Sequence, residues 1–171
     1  MLETESYNYE KIIFTKKIDG VCTKFQIKKP NFKLINFIFK HSLTIIVLFI
    51  VSFYTLNFNI ALIFTIIFLL YTYVKLNSIV IKEELFFIPS IGVQELSIHG
   101  TGRKDIKFYA HSQIKDLVIT ESVSTLRVIF YLCLICQNEQ KKSRLQPLFI
   151  GTKPKLDVLR QIYKETNHYF K

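Results

Sequence analysis

Cys133 and Cys136 stand in a Cys-x-x-Cys spacing, and Asp116 and Glu121 form an acidic pair. Both lie within one stretch, IKDLVITESVSTLRVIFYLCLICQ, from Ile114 to Gln137. A Cys-x-x-Cys can hold zinc or cycle as a disulfide, and paired carboxylates can act as acid and base across a cleft. The surrounding residues argue against both. They are β-branched, aromatic and apolar, which is strand composition. Side chains on a strand alternate faces, so residues three or five apart point to opposite sides of the sheet. The cysteines then share a metal only through a bulge, and no second Cys pair or His pair completes a four-ligand site. They read as small buried apolar residues. Glu121 opens a turn-like ESVST segment, where a turn hydrogen bond or a partner contact suits it.

Other chemistry-bearing residues are scattered. His41, His99, His111 and His168 show no paired metal spacing. Gly100-Thr101-Gly102 lacks the following helix of a phosphate loop and reads as a hairpin tip. Lys141-Lys142 sit in a polar loop. Lys153 and Lys155 fall near the positive end of a predicted helix, against the macrodipole preference. That is either an anion site, such as one for a lipid phosphate, or an ordinary exposed first turn. No catalytic constellation, cofactor-binding motif or metal set emerges.

The totals set the class. The 171 residues carry a net charge of +10, and 50% are hydrophobic and 15% aromatic. A basic, strongly apolar chain points to membrane contact rather than nucleic acid. Three cysteines, Cys22, Cys133 and Cys136, argue against a disulfide framework and for reduced thiols. The acidic start, MLETESYNYEK, has no basic n-region and no apolar h-region, so no secretory signal is read there.

One long run, Ser42 to Val74, is free of charge. A single straight helix of that length would reach about 50 Å, against about 30 Å of hydrocarbon. Asn57-Phe58-Asn59 holds the only amide side chains in the run. The expected form is a transmembrane or re-entrant helical hairpin over 36–80, with arms near 36–56 and 60–80 and a turn at 57–59. Lys40 and Lys75 would snorkel. Tyr54, Tyr71 and Tyr73 suit the interface, and Lys16, Lys17, Lys24, Lys28, Lys29, Lys33 and Lys82 place both termini in the cytosol. Residues 1–35 read as a polar, basic, irregular cytosolic segment. In it Tyr7, Tyr9, Ile12, Ile13 and Phe14 pack on the domain or lie at the interface.

Residues 81–171 form the cytosolic domain. Short apolar runs alternate with turn signals at Pro89-Ser90, Gly100–Gly102 and His111-Ser112, as in a meander or small barrel. Leu156, Leu159, Ile162, Tyr163, Thr166, Tyr169 and Phe170 then recur at helical spacing, with Thr152 as a cap and Pro154 in the first turn. The predicted fold is a membrane α-helical hairpin plus an α+β domain: a pleckstrin-homology-like antiparallel sheet or barrel closed by one C-terminal helix.

Specific residues then carry a resemblance. Glu84-Leu85 and Gly92-Val93-Gln94 open the domain. Gly100 or Gly102 precedes Phe108. Asp116-Leu117-Val118-Ile119-Thr120-Glu121 leads to Phe130-Tyr131-Leu132-Cys133. Leu148-Phe149, then Lys153-Pro154-Lys155-Leu156-Asp157 and Tyr163, close it. In order and spacing, Val74 to Tyr163 resembles the PIG-H family, the H subunit of phosphatidylinositol N-acetylglucosaminyltransferase. Thr120 stands where the family has Asn, Lys155 where it has Arg, and Tyr109-Ala110 where it often has Ile-Pro. The first 35 residues have no counterpart.

The resemblance implies a non-catalytic subunit, with no cofactor of its own. The complex moves N-acetylglucosamine from UDP-GlcNAc to phosphatidylinositol, the first step of GPI-anchor synthesis, at the cytosolic face of the endoplasmic reticulum membrane. Its implied partners are the catalytic A-type glycosyltransferase subunit, which the domain docks or stabilises, the other subunits, and membrane lipid, but no nucleic acid. The residues expected to carry the family motif or partner contacts are Gly92, Gln94, Asp116, Glu121, Tyr131, Pro154, Lys155 and Tyr163. The alternative is a membrane-anchored lipid-binding module acting through Lys153 and Lys155.

Overall fold

In the computed structural model, the described residues are 2–7, 10–19, 22–30, 42–44, 46–47, 50, 54, 58–124, 127–137, 143–166 and 169. Alternation builds the first sheet. In β2 (Lys11–Asp19), Ile12 and Phe14 are buried; in β3 (Cys22–Lys28), Thr23, Phe25 and Ile27 are. With β1 (Leu2–Glu5), β4 (Val80–Ile88), β5 (Gly92–His99) and β6 (Lys104–Ala110), they form a six-stranded sheet in chain order. The registers pair Phe14 with Ile27 and Phe25 with Leu85, which gathers the large side chains on one face. Phe14 stacks on Phe25 at 6.2 Å, and Phe25 meets Phe87 edge-on at 5.8 Å. Such pairs add about 0.5–1.5 kcal/mol each to simple burial. The expectation of an irregular N-terminal segment is thereby corrected. Residues 2–28 supply three strands and four of the core's largest side chains: Ile12, Phe14, Phe25 and Ile27.

A second sheet of three strands follows in the order β7 (Ile114–Ser124), β8 (Arg127–Gln137) and β9 (Ser143–Leu148). The stretch that holds both the cysteine pair and the acidic pair is therefore one long antiparallel hairpin. Leu117 faces Leu134, Ile119 faces Leu132, and Leu132 faces Leu148. The helix α2 (Leu156–Thr166) buries Val158, Leu159, Ile162 and Thr166 and packs on β7 and β8. Both sheets and α2 share one apolar core. Lys16 of β2 reaches Glu165 of α2 at 2.7 Å, and Tyr169 hydrogen-bonds Thr23 at 3.1 Å.

Two parts of the predicted fold are overturned. The β-rich domain and its C-terminal helix are present, but the strands close no barrel among the described residues. After β6 a 3₁₀ turn at His111–Gln113 redirects the chain, and β7 pairs with β8 rather than continuing the first sheet. The pleckstrin-like barrel reading also left out β1–β3.

Residues 31–79 and 99–103 form a separate unit. Its described helix, α1, runs Phe58–Ser78. It covers the expected second arm, 60–80, to within two residues at each end and takes in Asn59, while Asn57 and most of the expected first arm lie outside the described residues. Among the described residues no helix is long and apolar enough to cross a membrane. The uncharged part of α1, Phe58 to Val74, spans about 25 Å against about 30 Å of hydrocarbon. Lys75, which closes it, folds back over the Tyr71 ring at 5.6 Å. The transmembrane hairpin is therefore withdrawn.

Candidate functional site

Three buried carboxylates organise the region with the most chemical character. Glu83 lies opposite Ile27, on the core face of β4. An unpaired charge there would cost several kcal/mol. The loop after β9 removes that cost: the Gly151 N–H donates to Glu83 Oε1 at 3.0 Å, and the Thr152 N–H and hydroxyl donate to Oε2 at 3.0 and 2.5 Å. Thr152 is thus held by Glu83 and does not cap α2, which starts four residues later. Gly151 is dictated by space, since a Cβ there would sit 2.5 Å from Val80 Cβ. The loop is tightly wound, with Phe149 and Lys153 at φ 57° and 45°. The Lys153 N–H closes it onto the Phe149 carbonyl at 3.0 Å.

Glu84 points the other way and is 3% exposed. Burial pushes its carboxyl up, but hydrogen bonds and charge from Lys24 and Lys82 outweigh that and hold it below the ordinary glutamate range. The ammonium groups lie at 2.8 and 2.5 Å. Glu95 shares the core face of β5 with Val93. Burial raises its carboxyl, the nearby Glu83 adds to the rise, and Lys107 at 3.8 Å offsets only part of it. Burial beside Glu95 also lifts Tyr109 to about 12. These groups brace β4, β5 and the 149–153 loop. Sequence reasoning passed over Glu83 and Glu95 and named Glu84 only as part of a motif, not as a buried carboxylate. The available signal was acidic residues inside the apolar runs IVIKEELFFI and GVQELSI.

The braced loop forms one wall of a groove of about 230 Å³, lined by Ser122, Ile129, Phe130, Tyr131, Pro147, Phe149, Ile150 and Lys153. Tyr7 packs on Phe130 from the side at 6.5 Å between ring centroids. Lys155, the second lysine of the expected anion site, is committed to Glu5 at 2.7 Å. That pairing holds the Glu5 carboxyl below its usual range. Among the described residues, the Lys153 ammonium has no ion-pair or hydrogen-bond partner.

Against this geometry stand the comparisons with known proteins. Residues 84–150 match the family described as the PIG-H component of the GPI-GlcNAc transferase complex. Over that region the chain is similar to the PIG-H family. Three relatives are named as the H subunit of phosphatidylinositol N-acetylglucosaminyltransferase. The one from Mus musculus is 34% identical over 86 residues, 48% of this chain and 46% of the relative. That from Homo sapiens is 33% identical with the same coverage, and that from Bos taurus 32% over 85 residues. The chain spans about half the length of the curated relatives it matches. No solved structure matches it.

Of the residues expected to carry PIG-H motifs or contacts, Gly92, Gln94, Asp116, Glu121 and Tyr131 fall inside the matched region, and Pro154, Lys155 and Tyr163 beyond it. The fold does not gather them. Gly92, at φ 148°, is a steric requirement, because a Cβ would meet the Tyr109 carbonyl oxygen at 2.1 Å. Gln94 pairs with Phe108 in the first sheet. Asp116 accepts the Leu117 N–H at 2.7 Å, beside an irregularity in the β7–β8 register. Glu121 is exposed opposite Phe130, and Tyr131 faces Thr120. Pro154 is buried and bridges to Ser6, and Tyr163 packs half-buried on the core. Only Tyr131 lines the groove, together with Lys153. Cys133 and Cys136 lie on the one continuous strand β8 with free thiols, both raised chiefly by burial. His41, His168, Phe170 and Lys141-Lys142 lie outside the described residues.

Proposed function

We propose that the chain is a non-catalytic subunit of the complex that transfers N-acetylglucosamine from UDP-GlcNAc to phosphatidylinositol. The carrying observation is the match of residues 84–150 to PIG-H, with relatives named as the H subunit of that transferase. In this reading the two-sheet domain docks or stabilises the glycosyltransferase subunit at the cytosolic face of the endoplasmic reticulum. The geometry agrees in kind. Its buried charges are spent on bracing β4, β5 and one loop, and what that loop offers outward is an apolar groove. The competing lipid-reader reading needs Lys153 and Lys155 together, and Lys155 is paired with Glu5.

The test is recovery of activity with the tagged full chain from detergent-solubilised membranes. Transfer of N-acetylglucosamine to phosphatidylinositol should be enriched on the affinity resin. If all of the activity stays in the flow-through, the chain is not a subunit of that enzyme.

A further inference from the structure

The groove beside the 149–153 loop has two kinds of wall. Ile129, Phe130, Pro147 and Ile150 make it apolar. Tyr131, Ser122 and Lys153 edge it with two hydroxyls and an ammonium, and none of these has a hydrogen-bond or ion-pair partner among the described residues. The apolar surface continues outward at Ile150, which is 52% exposed. A continuous apolar patch with a polar rim marks an interaction surface. A central pocket flanked by aromatic residues is the usual anchor point of such a surface.

Size and charge define the occupant. The groove, about 230 Å³, lies below the roughly 300–1,000 Å³ that encloses a drug-sized ligand. It suits one bulky side chain rather than the paired acyl chains of a lipid. Its one cation, on a chain of net charge +10, complements a single carboxylate. A phosphorylated headgroup calls on several cations, and the neighbouring Lys155 is already held by Glu5. We propose that this groove docks a segment of another protein, one that presents a bulky apolar side chain next to an Asp or Glu. The apolar side chain enters between Ile129, Phe130 and Ile150, and the carboxylate meets Lys153, with Tyr131 and Ser122 as further donors. This rests on the reading of the chain as a complex subunit, and it assigns the surface by which it is held.

The test compares tagged full-length variants for transferase activity recovered per tagged chain. Far-UV circular dichroism and the thermal midpoint report folding. Ile150→Asp and Lys153→Glu should each lower recovery about tenfold or more, as loss of a central anchor does. Lys153→Arg, and the control Ile106→Asp on β6, should stay within about twofold of wild type. Because Lys153 is only half-buried and its ammonium lies at the groove edge, its reversal keeps the test decisive if Ile150→Asp misfolds. Folded Ile150→Asp and Lys153→Glu chains that recover wild-type activity overturn the groove while leaving the subunit reading intact. Equal loss in Ile106→Asp overturns it too. So does undiminished recovery with binding to phosphatidylinositol vesicles lost in Lys153→Glu, which would assign the groove to lipid. Wild-type chain that recovers no activity removes the subunit reading itself, and the groove proposal with it.

Discussion

Replacing Glu83 with alanine should be among the most damaging single changes outside the large apolar side chains. It removes the acceptor for three hydrogen bonds, from the Gly151 N–H, the Thr152 N–H and the Thr152 hydroxyl. Hydrogen bonds to a charged group contribute about 1.5–3 kcal/mol each. The three do not sum, because removing the carboxylate also recovers its desolvation cost, and the Gly151 N–H, only partly buried, regains water. Thr152 is 1% exposed, so its two donors stay unsatisfied at about 1–3 kcal/mol each. The net expectation is about 3–4 kcal/mol, against a total of about 5–15 kcal/mol for a domain. Urea unfolding of the purified full chain, followed by far-UV circular dichroism, reads this directly. With a slope of about 2 kcal/mol per molar urea, the midpoint falls by about 1.5–2 M. Glu83→Gln, which keeps one acceptor oxygen but turns an amide donor toward donors, should lose about half as much. Thr152→Val should cost about 1–1.5 kcal/mol alone and clearly less in the Glu83→Ala background, since both act on one contact. A Glu83→Ala midpoint within about 0.3 M of wild type would refute the bracing role of this carboxylate.

Gly92→Ala should cost about 3 kcal/mol or more, because its Cβ would collide with backbone at the Tyr109 carbonyl; a wild-type midpoint would remove the steric account. Gly151→Ala should be destabilising, and Val80→Ala should partly rescue it, since the clashing atoms all belong to the Val80 side chain; additive losses would contradict this. Stability should also depend on pH through Glu95. Its folded carboxyl lies above the unfolded value, so its contribution is complete below the ordinary glutamate range and declines as pH rises toward the raised value. Glu95→Gln should flatten that decline in urea midpoints, and an unchanged slope would dismiss the effect. Glu84 has the opposite sign: its contribution, present above the ordinary range, is lost as pH falls, so Glu84→Gln should lessen acid sensitivity.

What could be read in the sequence follows from the range of the interactions involved. The β7–β8 hairpin was legible because alternation and β-branched content are local, and the same alternation separated Cys133 from Cys136. Helix α2 was legible from the spacing of Leu159, Ile162 and Thr166. The N-terminal strands were hidden because basic residues interrupt them. Yet Ile12 and Phe14, and Phe25 and Ile27, keep the period of two that a half-buried strand requires. The second arm expected over 60–80 was legible from its apolar length and the amides before it, and α1 runs Phe58–Ser78. The buried carboxylates were out of reach for a different reason. Glu83 is tolerable only because Gly151 and Thr152, far along the chain, donate to it, and no local pattern announces that pairing. The groove depends on the same long-range contact.

The central claim is that this chain is needed by a transferase whose active site lies elsewhere. The most direct measurement is transfer of N-acetylglucosamine from UDP-GlcNAc to phosphatidylinositol in membranes from cells lacking the chain. Transfer should be abolished there and restored by re-expressing the full chain. Undiminished transfer without it would contradict the account.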